Sequence, residues 1–367
     1  MPGRIGGTQD RRYMRMALRL ARKAAGRTSP NPMVGAVLVK NSRVIATGYH
    51  RAAGGDHAEI VALKRAGDKA KGATLYINLE PCSHQGRTPP CTNALIRAGV
   101  HTVIAGMRDP NPLVAGSGFR KLKRAGIQVR VGVLEEECRI LNEAFTKYII
   151  RRLPFVILKL AASLDGKIAA ASGDARWISD EHSRRVVHRL RNQVDAVLVG
   201  AGTVVADDPQ LTCRIPGGRN PWRVVLDAAL RTPMSAKILH QPDPEKTILV
   251  TSLRAPERKL RALTALGIQV WTFAPHGRRI SWLPFLKRLA QIGVVSVMIE
   301  GGAITAAWAL EDKIVDKLLF FYAPKILGGK ARVMVDGLEV ARVKDALAVH
   351  RMQMKKTGTG FLVSGYL

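Results

Sequence analysis

A chain of 367 residues, 47% hydrophobic and 23% charged, has the balance of a globular protein and the length of two ordinary domains. Fibrous and disordered classes are excluded, and no apolar run approaches the roughly 20 residues that a membrane helix needs. The formal net charge of +30 attracts polyanions at long range, but Lys and Arg are spread along the chain and aromatic residues make up only 5%, so a basic solvated surface is the simpler reading and neither a nucleic-acid nor a membrane partner is expected.

The first element is basic. In "DRRYMRMALRLARKAAGR" the residues Tyr13, Met14, Ala17, Leu18, Ala21 and Ala25 recur at helical spacing, which predicts a domain's own first helix. A signal peptide would need an apolar core that this stretch lacks; a mitochondrial presequence is the alternative reading. Four cysteines without a secretory signal argue against a disulfide framework and for a reducing compartment, the cytoplasm. Strands are expected at 33–40 and 43–50, a helix at 57–67, a strand at 73–80, a helix at 91–99 and a strand at 101–106. That alternation implies an α/β sandwich. The rhythm restarts after Pro154 with "FVILKLAAS" and continues through strands at 194–200, 223–227, 247–252, 268–273 and 296–300. The boundary falls near residue 150, giving domains 1–150 and 151–367 without a repeat between them.

Within the first domain, "HAEI" (57–60) and "PCSHQGRTPPC" (81–91) bring together residues of one chemistry. A catalytic zinc takes three nitrogen or sulfur ligands and keeps a fourth position for water. His57, Cys82 and Cys91 are such a set. Glu59, two residues beyond His57 at the start of a helix, can carry a proton between water and a leaving amine without binding the metal. This is the H-x-E and P-C pattern of zinc-dependent deaminases. The two cysteines, however, are separated by eight residues instead of the usual two. Cys138 and Cys213 read as structural.

The run "LEPCSHQGRTPPC", with "NPMVGAVLV" and "GYH" before it and "RDPNPLVAGSG" after it, resembles the bifunctional riboflavin-pathway family, the diaminohydroxyphosphoribosylaminopyrimidine deaminase/5-amino-6-(5-phosphoribosylamino)uracil reductases. The long insert between the cysteines is a mark of that family. The resemblance spans almost the whole chain. It implies a cytidine-deaminase-like α/β/α sandwich with zinc, in which Asn31, His50, His84, Arg87 and Asp109 line the pyrimidine site. Arg87 is of the right type to grip a phosphate.

In the second domain, "LVGAGTVVADDP" (198–209) invites a Rossmann reading. Val205 stands where the third glycine belongs, so that reading is not expected. "IEGG" runs from a strand through Glu300, Gly301 and Gly302 into a helix, where backbone N–H groups could hold a phosphate. With "LKLAASLDGKIA", "WIS", "GAGTVVADDPQLTCR" and "YAPKILGG", this half resembles the family's reductase domain, of dihydrofolate-reductase-like fold. The resemblance implies NADPH contacts from Ala161, Trp177, Thr203, Asp207 and the run from Gly302. It implies that Lys159, Arg191, Leu211, Arg214 and Glu300 face the ribose phosphate substrate. Asp165 either orients the site or forms a turn. Ala175 and Ala228 stand where related sequences tend to have Ser, each losing a hydroxyl whose net hydrogen bond is worth about 1 kcal/mol.

The resemblance implies two successive steps: deamination of 2,5-diamino-6-ribosylamino-4(3H)-pyrimidinone 5′-phosphate, then NADPH reduction of the ribosyl group to ribityl. It also implies self-association. Two other readings are a nucleic-acid-directed deaminase and a deaminase whose second domain is not catalytic.

Overall fold

The computed structural model describes residues 7–83, 89–112, 114–276 and 279–367, and of 275 and 276 only the backbone. The chain divides into two compact units, Met1–Leu153 and Pro154–Leu367.

In the first unit, helix α1 (Thr8–Arg22) buries Tyr13, Met14, Ala17, Leu18 and Ala21. Ala25 departs from the expectation. The helix ends at Arg22, so the spacing no longer holds beyond it, and Ala24 is the buried residue instead. Among the described residues, strands β1 (Gly35–Lys40), β2 (Arg43–Tyr49), β3 (Thr74–Leu79), β4 (Thr102–Met107) and β5 (Gln128–Val131) form one sheet in the order β2-β1-β3-β4-β5. β1 runs antiparallel to both neighbours, and β3, β4 and β5 run parallel.

Period-two side-chain alternation then assigns the faces. Leu38, Leu75, Ile77 and Val103 join one buried cluster, which includes residues of helices α2 (Ala58–Ala66), α3 (Cys91–Arg97) and α4 (Ser117–Arg124). Val37, Val39, Tyr76 and Ile104 join the other, with α1 and α5 (Glu135–Leu141). The result is an α/β/α sandwich. Gly48 on β2 lets α2 lie close, since a Cβ there would stand 2.2 Å from the carbonyl oxygen of Ala58. That contact seats the start of α2, with His57 and Glu59, against the sheet.

The second unit is built on β6 (Phe155–Ser163), β8 (Ala196–Gly200), β9 (Trp222–Leu226), β10 (Thr247–Ser252), β11 (Gln269–Phe273), β12 (Ser296–Glu300), β13 (Lys317–Ala323), β14 (His350–Thr357) and β15 (Gly360–Tyr366). A short strand, β7 (Lys167–Ala169), pairs apart from them with Arg332–Val333. Among the described residues the large sheet has nine strands in the order β11-β10-β9-β8-β12-β6-β13-β15-β14. It is parallel from β11 to β13 and antiparallel across the last three. The central strands are apolar almost throughout, as a sheet covered on both faces requires. β8 and β12 end at the same edge, where Glu300 pairs with Lys159 of the longer β6, and ligands of parallel sheets sit at that edge. Among the described residues no helix is long and apolar enough to cross a membrane.

Candidate functional site

His57 stands in extended backbone ahead of α2, so its ring leaves the helix and meets the tip of β3. Cys82 lies just past that tip, and Cys91 opens α3. Nδ1 of His57 is 3.2 Å from Sγ of Cys91 and 3.6 Å from Sγ of Cys82. All three donor atoms lie within 4.8 Å of one another. A tetrahedral zinc, with Zn–S about 2.3 Å and Zn–N about 2.1 Å, sets such donors roughly 3.6–3.8 Å apart. The residues fit that ion. The backbone N–H of Cys91 also donates to Sγ of Cys82 at 3.3 Å, steadying the sulfur.

The electrostatics suit a cation. A hydrogen bond from the Cys91 thiol, helped by one from His57, holds the Cys82 thiol below its ordinary range against the effect of burial, while that same bond and burial push Cys91 up. A zinc ion held by the triad would take Cys82 and Cys91 as thiolates. Glu59, in the first turn of α2, is 3% exposed. Burial pushes its carboxyl up to about 7, where a group can both take and give a proton near neutral pH.

Asn31 and His50 stand beside the triad. The Asn31 side-chain amide lies 3.1 Å from Nε2 of His50, whose Nδ1 is 3.0 Å from the carbonyl oxygen of Asp56. That pattern selects the neutral tautomer with its proton on Nδ1. Burial lowers the His50 pKa in the same sense. The two imidazoles meet edge to face at 5.4 Å between centroids. Asp109 follows β4, and its backbone N–H donates to Oε2 of Glu80 at 3.1 Å. His84 and Arg87 lie outside the described residues. Glu80 is the residue that pattern reading passed over, although a carboxylate directly ahead of P-C was the available signal.

The other ten predicted residues share one cleft of about 920 Å³ in the second unit: Lys159, Ala161, Trp177, Arg191, Thr203, Asp207, Leu211, Arg214, Glu300 and Gly302. Glu300, 7% exposed, takes a two-point grip from Arg191 at 2.6 and 2.9 Å, with Nζ of Lys159 at 3.7 Å. Burial alone would raise the Glu300 carboxyl, but Arg191 and Lys159 together hold it down at about 2. Burial lowers Lys159, more than Glu300 restores. Arg191 reaches on to the carbonyl oxygen of Thr212 at 3.1 Å, fixing the loop that carries Leu211 and Arg214.

Directly after Glu300, Gly301 and Gly302 have φ of 85° and 83°, a left-handed conformation that favours glycine. They lead into the helix Ala303–Glu311, whose first N–H groups have no intrahelical partner. Trp177 is exposed, with the Arg184 guanidinium 4.5 Å from its ring centroid. Burial raises the Asp207 carboxyl, and Arg176 donates to the Asp207 carbonyl at 2.7 Å. Ala175 and Ala228 also line the cleft, as do His188, Arg231 and Arg332, which pattern reading did not single out. Asp165 accepts from the N–H groups of Leu327 and Gly328; it ties a turn to a loop.

One pH dependence follows. The unfolded chain protonates Glu300 near the ordinary 4.5 and the folded chain near 2, so its contribution is complete above about 4.5 and is lost as pH falls toward 2. Thermal unfolding of Glu300→Gln is expected to depend less on pH across that window. An unchanged slope would contradict the assignment.

Comparison with known proteins agrees with both halves. The sequence model of the cytidine and deoxycytidylate deaminase zinc-binding region matches residues 7–107, and that of the RibD C-terminal domain matches residues 154–363. The riboflavin biosynthesis protein RibD of Aquifex aeolicus is 43% identical over 355 residues, 96% of this chain and 97% of its own length. The chain belongs to the RibD family. RibD of Acinetobacter baumannii, a solved structure, is 37% identical with a TM-score of 0.88, covering 98% of each chain. A diaminohydroxyphosphoribosylaminopyrimidine deaminase/5-amino-6-(5-phosphoribosylamino)uracil reductase from Thermotoga maritima is 38% identical with a TM-score of 0.85 over 98% of each chain. As a RibD protein the chain is a bifunctional deaminase and reductase of riboflavin biosynthesis, with a zinc-binding deaminase domain. A nucleic-acid-directed deaminase is not favoured.

Proposed function

We propose that the first unit deaminates 2,5-diamino-6-ribosylamino-4(3H)-pyrimidinone 5′-phosphate and that the second reduces the product with NADPH to 5-amino-6-(5-phosphoribitylamino)uracil. The observation that carries the second step is the buried Lys159–Glu300–Arg191 cluster in one cleft with the Gly301–Gly302 turn. Cations for a sugar phosphate and free N–H groups for a cofactor phosphate thus share one cavity.

His57, Cys82 and Cys91 are assigned as the zinc ligands. When bound, zinc supplies the Lewis acidity that makes water a nucleophile near neutral pH. Glu59 takes the proton from that water and returns it to the amine as it leaves. Asn31 and His50 form a fixed polar wall for the pyrimidine, with His84, Arg87 and Asp109 assigned to the same substrate. In the second unit Ala161, Trp177, Thr203, Asp207 and Gly302 are assigned to NADPH, which supplies a hydride to the ribosyl C1. As C1 is reduced its bond to the ring oxygen breaks, and that oxygen needs a proton. Lys159, whose ammonium burial makes more acidic, is assigned as the donor, with Arg191, Leu211, Arg214 and Glu300 orienting the sugar phosphate.

The reductase reading survives the alanines. Ala175 and Ala228 each lack a hydroxyl worth about 1 kcal/mol, whereas the charged cluster is complete. Four unpaired cysteines support a reducing, cytoplasmic setting, and the family resemblance supports self-association.

Steady-state reduction with NADPH and NADH tests the cofactor. We expect kcat/KM about tenfold or more in favour of NADPH; equal values would remove that preference. Cys91→Ser is expected to lower bound zinc, measured by atomic absorption, and to cost more than the roughly 10–100-fold that changes behind a ligand cause. Full zinc content in that variant would show that Cys91 is not a ligand.

A further inference from the structure

Glu80, between β3 and Cys82, is 3% exposed, and four backbone N–H groups converge on its carboxylate. Oε1 accepts from Gly118 at 2.9 Å and Phe119 at 3.3 Å. Oε2 accepts from Gly116 at 2.9 Å and Asp109 at 3.1 Å. Gly116, Gly118 and Phe119 form the N-cap and first turn of α4, where N–H groups lack helical partners and a negative charge is favoured. Gly116 has no side chain to cap them. A carboxylate from another strand does so instead.

The same segment is clasped to Cys82 from its other side. A Cβ on Gly118 would stand 2.2 Å from the Pro81 carbonyl oxygen, so only glycine permits this approach. Oγ of Ser83 meets Oγ of Ser117 at 2.6 Å, and the Glu80 N–H donates to Met107 at 3.0 Å. Glu80, Pro81 and Ser83 therefore bind Met107, Asp109 and the start of α4 to the chain around Cys82. Phe119 and Leu122 anchor α4 in the core.

We infer that Glu80 is a positioning residue of the deaminase, one carboxylate that holds both Cys82 at the metal and Asp109 beside the substrate. It rests on the assignment of Cys82 as ligand and Asp109 as substrate-facing. Glutamine would keep one accepting oxygen and turn an NH₂ group toward the other pair of N–H donors. Both pairs cannot then be satisfied.

The test is zinc transfer from the full-length, zinc-loaded chain to a chromogenic chelator, with deaminase and reductase kinetics on the same samples. For Glu80→Gln we expect zinc release roughly 10–100-fold more readily, a raised deaminase KM and wild-type reductase activity. Glu80→Asp, which keeps the charge but shortens its reach, is expected to fall between, and it carries the test should Glu80→Gln fail to fold. A lowered melting temperature with wild-type zinc release and KM would mean a structural role only and would overturn the inference. Cys82→Ser, run alongside, separates the premises. Zinc retained by Cys82→Ser removes the ligand assignment and the inference with it; zinc lost by Cys82→Ser but held normally by Glu80→Gln removes the inference alone.

Discussion

Glu59→Gln is expected to reduce deamination by about 10²–10⁴-fold, the usual contribution of a positioned proton carrier, while zinc content and reductase activity stay at wild-type levels. An amide has the shape of the carboxyl but cannot accept and return a proton. It is also tolerated by the site, because Glu59 is buried and burial disfavours its charged form. His57, Cys82 and Cys91 remain in place, so metal binding persists. Ammonia release, zinc analysis and cofactor oxidation on one preparation check the three statements. Deamination within tenfold of wild type would move the proton shuttle to another group.

Glu300→Ala is expected to act on the second unit through two routes at once. The substitution leaves Arg191 and Lys159, whose side chains are 12% and 13% exposed, without the carboxylate between them. Removing one partner of a buried ion pair typically costs about 3–5 kcal/mol, which in a unit of this size lowers its melting temperature by roughly 6–20 °C. Reduction is lost as well, since Lys159 and Arg191 no longer hold their places in the cleft. Deamination, carried by the other unit, is expected to continue. Calorimetry with both assays checks this, and an unshifted melting transition would show that the cluster is not a stabilising one.

Much of this was legible in the residues because the physical signals were local. The short apolar runs expected as strands at 33–40, 73–80 and 101–106, set between helix-like stretches, became the three central strands of the first sheet. The apolar runs at 196–200 and 296–300 became central parallel strands. The hairpin of β14 and β15 was not read from the sequence: "HRMQMKKT" alternates only at Met352 and Met354, both exposed, and marks no buried face. His57, Glu59, Cys82 and Cys91 were legible as a set, since zinc chemistry restricts residue type and number. Glu80 was passed over: its place ahead of P-C was visible, but its role was not, because its partners are backbone groups 29–39 residues further along. His188 was missed for a similar reason. Its Nδ1 faces the Arg214 backbone N–H at 3.3 Å, a meeting that only the folded loop creates.

The most direct measurement gives the zinc-loaded chain the diaminopyrimidinone ribotide together with NADPH, following ammonia and NADPH in the same vessel. A bifunctional enzyme releases ammonia first and then consumes NADPH, one equivalent of each per substrate. Ammonia release without NADPH consumption would contradict a catalytic second unit, and no ammonia from the zinc-loaded chain would contradict the deaminase assignment itself.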